Sequence, residues 1–162
     1  MPKSTYTSIG MISPNYEEYM EIMFKAAHTY DCSSVFTVGN RWSSTNTPEA
    51  QKRKAEYYPP YAYFQSFAHF LGEHLKKNVA ELVLVETRTI SDEAEPLEHF
   101  VHPGRAIYLF TGRDSVFSPE VLASTPYRIK VSDDPRMSPG TAGAIVLYDR
   151  HLKEVQAKAS GR

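Results

Sequence analysis

The sequence has little cysteine, no long apolar run and almost no net charge. Cys32 is the only cysteine among 162 residues, which excludes an intramolecular disulfide and a zinc site built on several cysteines. No apolar stretch approaches the roughly 18 residues of a membrane-spanning helix, and the first residues lack the pattern of a signal peptide. The net charge is −1, from 18 basic and 19 acidic residues. We therefore expect a protein of the reducing cytoplasm that could meet nucleic acid only through local patches.

What remains is an ordinary globular composition, with 41% hydrophobic and 23% charged residues. A chain of this length fits one compact domain. The sequence shows no internal repeat, low-complexity tract or linker that would divide it. We expect a single domain over residues 1–162.

Segments typical of strands and of helices alternate along the chain. Short apolar or β-prone runs predict strands at 6–12, 34–38, 81–86, 106–110 and 127–131. Capping residues and helical spacing predict helices from Ser13 or Asn15 to about Tyr30, over 65–77, before Pro103, over 118–123 and from about Thr141. This alternation predicts an α/β domain with a mostly parallel sheet flanked by helices. In such sheets, ligands bind at the carboxyl ends of the strands.

A polar stretch over residues 39–60 is too long for an ordinary connection. It mixes cations with aromatic residues, a combination that suits RNA because bases stack on rings while cations hold phosphates. The predicted RNA-binding residues are Arg41, Trp42, Lys52, Arg53 and Lys54. The alternative is a solvated surface on which Glu49 and Glu56 offset the positive charge.

Two further patterns bear on partners. The last helix carries Ile145, Tyr148, Leu152 and Val155 at three- and four-residue steps, which indicates either packing on the sheet or a dimer contact. The histidine pairs, at 69 and 74 and at 99 and 102, lack the spacing and partner carboxylate of a zinc helix. We expect no metal site.

Four stretches together carry a resemblance to a known family. They are 34–41 (SVFTVGNR), 103–110 (PGRAIYLF), 118–123 (SPEVLA) and 144–149 (AIVLYD). The chain resembles the compact SpoU/TrmH-type RNA methyltransferases of the SPOUT superfamily, from Ile9 to about Lys153. The resemblance implies a parallel sheet with a C-terminal trefoil knot, a homodimer and bound S-adenosylmethionine. The activity it implies is methyl transfer to a ribose 2′-hydroxyl of tRNA or rRNA.

The three sequence motifs of that family are altered here. Tyr19, Glu21 and Lys25 stand at the asparagine, glycine and arginine positions of the first motif. The second motif corresponds to 110–118, and the third to 129–130 with 136–140. The resemblance implies that Lys25 and Ser138 are catalytic. The cofactor-binding residues it implies are Glu86, Leu109, Phe110, Gly112, Ile129 and Met137.

These substitutions leave two hypotheses open. The first is an S-adenosylmethionine-dependent RNA 2′-O-ribose methyltransferase in which Lys25 orients or deprotonates the hydroxyl. The second is a catalytically inactive relative that acts as a dimeric RNA- or protein-binding module. The fold alone does not distinguish them.

Overall fold

The computed structural model describes residues 5–14, 17–42, 59–88, 90–112 and 115–161. The strands are β1 (Tyr6–Ile12), β2 (Ser34–Val38), β3 (Tyr61–Phe64), β4 (Glu81–Glu86), β5 (Glu95–Pro96), β6 (Arg105–Thr111) and β7 (Tyr127–Lys130). The helices are α1 (Glu17–Thr29), α2 (Phe67–Phe70), α3 (Pro119–Ala123) and α4 (Pro139–Ala159). A π-helical segment, Leu71–Lys76, continues α2, and a 3₁₀ turn covers Leu97–His99.

The seven strands form one sheet in the order β3-β2-β1-β6-β4-β7-β5, and every neighbouring pair is parallel. The predicted α/β class with a parallel sheet is therefore confirmed. Because all strands point the same way, their carboxyl ends lie along one edge of the sheet. The predicted trefoil knot stays a prediction.

Helices cover both faces of the sheet. Side chains alternate along β6, so Tyr108 and Phe110 pack in the apolar cluster beneath α1 and α4, whereas Ile107 and Leu109 pack in the cluster beneath α2 and α3. Burial on both faces explains the near-continuous apolar run of this strand. The result is a three-layer arrangement with the sheet in the middle.

Two glycines mark close backbone approaches. A Cβ at Gly10 of β1 would lie 2.2 Å from the carbonyl oxygen of Phe36 on β2. A Cβ at Gly140, in the first turn of α4, would lie 2.9 Å from the carbonyl oxygen of Tyr19 on α1. The second contact matters for the site, because it brings the start of α4 directly against α1.

One buried histidine lies within the α2 layer. His74 is 6% exposed, and its Nε2 lies 3.0 Å from the hydroxyl of Ser8. That hydroxyl also lies 2.7 Å from the hydroxyl of Ser34. The imidazole ring packs against Phe36, Phe64 and Phe70, with centroid distances of 5.0 to 5.7 Å. Burial lowers the pKa of His74 to about 4.

The structure corrects several sequence predictions. Strand β3 was not predicted, and the expected helix before Pro103 is only the 3₁₀ turn. Helix α4 begins at Pro139 rather than near Thr141, since Ser138 caps it. The predicted cap Asn15 lies outside the described residues.

The apolar stripe of α4 does not pack on the sheet. Its four members are Ile145, Tyr148, Leu152 and Val155, and they are 36 to 52% exposed. The residues of α4 that contribute to the core beneath it are instead Ala142, Val146 and Leu147. The sheet-packing interpretation of the stripe is therefore wrong.

Candidate functional site

The candidate site lies at the edge where β1, β4, β6 and β7 end. Ile12 of β1 is in register with Thr111 of β6, and Glu86 of β4 with Lys130 of β7. The loops that follow these strands therefore meet along one line. Two neighbouring cavities open between them.

The first cavity, here called the strand-end cavity, has a volume of about 290 Å³. Its lining residues are Glu86, Thr87, Arg88, Ser91, Thr111, Ser115, Val116, Phe117, Leu122 and Arg128. Val116, Phe117 and Leu122 supply apolar surface, while Thr87 and Thr111 supply hydroxyl groups. Apolar surface with a few polar groups is typical of small-molecule sites.

The second cavity, here called the helix-start cavity, has a volume of about 210 Å³. Its lining residues are Tyr19, Thr87, Arg88, Arg136, Met137, Ser138 and Pro139. Tyr19 reaches it because Gly140 allows α1 and α4 to touch. The two cavities share Thr87 and Arg88, so they lie side by side.

Ser138 is placed in the helix-start cavity by its role as the N-cap of α4. Its hydroxyl accepts a hydrogen bond from the backbone N–H of Thr141 at 3.2 Å and lies 2.9 Å from the Thr141 hydroxyl. A serine hydroxyl retains hydrogen-bonding capacity beyond these contacts. Ser138 can therefore orient a ligand, in a position fixed by the helix.

Glu86 ends β4 and is only 6% exposed. Its carboxylate accepts hydrogen bonds from the backbone N–H of Ser91, at 2.9 Å, and from the Ser91 hydroxyl. These bonds tie Ser91 to the end of β4. Glu86 lines the strand-end cavity, and its carboxylate oxygens hold Ser91, which lines the same cavity.

The structure places other predicted cofactor-binding residues in the core. Leu109, Phe110 and Ile129 are completely buried in β6 and β7, and they are not among the lining residues of either cavity. Gly112 follows β6, and its N–H donates to the carbonyl oxygen of Ile12 at 3.2 Å. Of the predicted set, only Glu86 and Met137 line one of the two cavities.

Lys25 is exposed on α1 and does not line the helix-start cavity. It follows Tyr19 by six residues, which on an α-helix is about 120° short of two full turns. The two side chains therefore leave the helix in different directions. The structure brings Tyr19 to Ser138 but leaves Lys25 outside their shared cavity.

The predicted RNA-binding residues are only partly described. The guanidinium of Arg41 lies over the Tyr63 ring, 4.6 Å from its centroid. Trp42 stacks on Phe24 with a centroid distance of 4.7 Å, so packing within the protein covers one face of its ring. Lys52, Arg53 and Lys54 lie outside the described residues.

Three cations near the two cavities are paired with nearby carboxylates. Arg128 contacts Glu93 at 2.5 Å, Lys130 contacts Asp133 at 2.6 Å, and Arg136 contacts Asp134 at 2.8 Å. The Arg136 side chain, with the Arg136 backbone N–H, lowers the pKa of Asp134 to about 2. Asp134 is therefore ionised at neutral pH, and its loop carries charges of both signs.

Sequence reasoning missed several lining residues, among them Thr87, Arg88, Thr111 and Arg128. A local signal was available for two of them, because Thr87 and Arg88 follow β4 at the edge where ligands bind in parallel sheets. Thr111 and Arg128 come close to these residues because β6 and β7 pair with β4 in the sheet.

Other chemistries find little support in the described part of the chain. No group of three or more His, Cys, Asp or Glu residues there could hold a metal ion. Burial raises the pKa of the Cys32 thiol to about 12, which suppresses the reactive thiolate. A search of the same residues for a helix long and apolar enough to cross a membrane found none.

Comparison by sequence finds no protein-family model and no curated protein that match this chain. Comparison by structure does find matches. One, from a study of the 2-OH methylation of C/U34 on tRNA, has a TM-score of 0.71 and 15% identity over 98% of this chain and 99% of that chain. The A. aeolicus TrmH/SpoU tRNA modifying enzyme has a TM-score of 0.72 and 11% identity, covering 96% of this chain and 77% of that one.

A third match contains the cofactor. The SpoU methyltransferase AviRb from Streptomyces viridochromogenes, in complex with AdoMet, has a TM-score of 0.73 and 12% identity. The match covers 93% of this chain and 61% of AviRb, so this chain spans about six tenths of that longer protein. Likeness at these identities concerns the fold. The chain has the fold of SpoU/TrmH-type RNA methyltransferases.

Proposed function

We propose that this chain is an S-adenosylmethionine-dependent methyltransferase that modifies a ribose 2′-hydroxyl of tRNA or rRNA. The observation that carries the proposal is the wall formed by Thr87 and Arg88, which the strand-end and helix-start cavities share. It sets a cavity suited to a small molecule directly beside one that presents Ser138. The fold of structures described as RNA methyltransferases supports the same proposal.

The strand-end cavity fits the chemistry of this cofactor. Its 290 Å³ is close to the lower end of the roughly 300 to 1,000 Å³ typical of ligand pockets, and the helix-start cavity adjoins it. Phe117 and Leu122 offer apolar surface for an adenine ring, while Thr111 and Ser115 offer hydroxyls for a ribose. When bound, S-adenosylmethionine supplies a methyl group whose bond to sulfur breaks as its bond to the ribose oxygen forms.

The helix-start cavity would receive the ribose of the RNA. Ser138, fixed by its capping bonds, would hydrogen-bond the ribose near the hydroxyl that accepts the methyl group. The hydroxyl proton must leave to a base, and the family resemblance implies Lys25 as the residue that orients or deprotonates this hydroxyl. Because Lys25 lies outside the cavity of its own protomer, this role requires a second copy of the chain.

The exposed stripe on α4 supports a homodimer. Tyr148, Leu152 and Val155 are 52, 38 and 49% exposed, and Ile22 of the neighbouring helix α1 is 40% exposed. Contiguous apolar surface of this kind marks interaction sites more often than solvent-facing surface. We propose that two copies pack through this stripe.

Calorimetric titration with S-adenosylmethionine, and separately with its demethylated product, tests the proposed cofactor site. We expect saturable binding at micromolar levels, about −8 kcal/mol. Val116→Trp should weaken binding at least about tenfold by filling the strand-end cavity, because indole adds bulk where the cofactor must lie. Val101→Trp is the matched control, since Val101 is an exposed valine of the loop before β6, away from this cavity.

Transfer of a labelled methyl group to bulk tRNA and ribosomal RNA tests the reaction itself. Digestion of the product should release 2′-O-methylated nucleosides. No binding of either cofactor form at millimolar concentration, together with no transfer, would overturn the proposal. That outcome would favour the inactive RNA- or protein-binding module.

A further inference from the structure

Two arginines from separate loops, Arg88 and Arg136, line the helix-start cavity together with Ser138. We propose that these arginines hold a phosphate of the RNA beside the ribose to be methylated. They thus supply a cation that α1 of the same chain does not bring to this cavity. The inference rests on the proposed function and names residues that position its substrate.

Positive charge reaches the helix-start cavity from two loops of the chain. Among the described residues of α1, Tyr19 alone lines the cavity, and Lys25 lies elsewhere around that helix. The cations in its lining come instead from the loop after β4 and the loop before α4. An RNA strand that enters this cavity therefore meets Arg88 and Arg136.

The guanidinium of Arg136 is held in place by Asp134. Asp134 accepts hydrogen bonds from Nε of Arg136 at 2.9 Å and from Nη2 at 2.8 Å. These bonds use two of the five guanidinium N–H donors and fix the plane of the group. The side chain is 86% exposed, so a large ligand can reach it. A planar fork held in one orientation is suited to two-point recognition of a phosphate.

Arg88 extends to the loop that carries Arg136. Nη1 of Arg88 donates to the carbonyl oxygen of Pro135 at 3.4 Å, so Arg88 reaches the residue immediately before Arg136. Contacts to phosphate fix the register of a nucleic acid without reading its bases. Two such contacts beside Ser138 would position one ribose for reaction while accepting any base.

Acidic residues in the same loop predict opposite effects for two substitutions. Asp134 offsets the charge of Arg136, and Asp133 offsets that of Lys130. A phosphate must therefore compete with Asp134 for the guanidinium. Removing that carboxylate charge should strengthen RNA binding, whereas removing the guanidinium should weaken it. A purely structural Asp134–Arg136 pair predicts no such opposition of sign.

Filter binding of bulk tRNA at several salt concentrations, with the demethylated cofactor present, tests the inference. We expect Arg136→Ala to weaken binding about tenfold and to reduce the slope of log affinity against log salt by about 0.7 to 1. Arg136→Lys should recover part of the affinity, because it keeps the charge and loses the fork. Asp134→Asn should tighten binding. Lys77→Ala is the control, because it removes an exposed cation that is paired with Glu73 away from this cavity. It should change neither the affinity for tRNA nor the salt slope.

Methyl transfer to the same RNA gives a second measurement. Arg136→Ala should raise the KM for RNA and leave the calorimetric affinity for S-adenosylmethionine unchanged. If Arg136→Ala matches Lys77→Ala in affinity and salt slope, the inference is overturned while cofactor binding and methylation still support the proposed function. Absence of cofactor binding and transfer in the wild type overturns the proposed function instead. If the wild type binds no tRNA at low salt, the same variants are compared on ribosomal RNA, and absence of binding to both RNAs overturns the inference.

Discussion

Acidification should destabilise this protein through His74. Its imidazole is buried among aromatic rings and contacts the Ser8 hydroxyl, and burial is what holds its pKa down to about 4 from the ordinary 6.5. Protonation of the folded state would place a cation where no carboxylate partner is available to it among the described contacts. The unfolded chain offers no such resistance to protonation.

The sign and size of the effect follow from linkage. Between about pH 6.5 and pH 4 the unfolded state binds more protons at this position than the folded state, so stability falls as pH falls. The contribution is fully present above about pH 6.5. At 1.36 kcal/mol for each pKa unit, lowering the pH from about 7 to about 5 should reduce the free energy of unfolding by about 2 kcal/mol.

Urea unfolding followed by circular dichroism at both pH values measures this loss. His74→Phe removes the titrating group and places a ring among Phe36, Phe64 and Phe70, while Ser8 keeps its contact with Ser34. We expect the variant to lose about 2 kcal/mol less than the wild type over this pH interval. His28→Gln, at an exposed position on α1, serves as the control and should behave as the wild type. Equal pH dependence in all three proteins would refute the reasoning.

Three further outcomes are expected. Gly10→Ala should destabilise the chain by about 3 kcal/mol or more in urea unfolding, because its Cβ would lie 2.2 Å from the Phe36 carbonyl oxygen; Gly72→Ala meets nothing within 4 Å and should be neutral or stabilising by up to about 1 kcal/mol. Leu152→Glu should convert a sedimenting dimer to a monomer, and an unchanged dimer mass would contradict the proposed interface. Cys32 should resist iodoacetamide at about pH 8 until urea is added, since its thiol is buried with a pKa raised to about 12; mass spectrometry that finds rapid labelling of the folded protein would contradict this.

The central strands could be predicted because burial on both faces leaves a clear local signal. The predicted bounds of β1, β2 and β4 match the structure. Strand β3 was not predicted because its four residues follow Pro59 and Pro60 at the end of a polar stretch. Strand β5 was not predicted because it has two residues, one of them proline. The order of the strands depends on contacts between distant segments, for which the local sequence holds no signal.

The same two-sided burial explains the limits of the site prediction. Both faces of β6 are apolar, so its sequence does not distinguish a residue that lines a cavity from a residue in the core. Leu109 and Phe110 lie in the core. Arg88 follows β4 at the edge where ligands bind, and this local signal was overlooked. Arg136 was missed for a different reason, because it resembles an ordinary solvated loop residue until the fold brings residues that are distant in sequence into one cavity. Ser138 could be singled out only through the family resemblance, and its capping role became visible with the start of α4.

The turn formed by Thr87 and Arg88 belongs to the walls of both cavities. If a ligand shifts this turn from one side, the fit of the turn to a ligand on the other side changes, and the two binding events are then thermodynamically coupled. Such coupling is reciprocal: the factor by which cofactor changes RNA affinity must equal the factor by which RNA changes cofactor affinity. Titrating each ligand with and without the other measures both factors. If both factors equal one, the two sites are independent. Through this one turn, RNA affinity would report whether cofactor is bound.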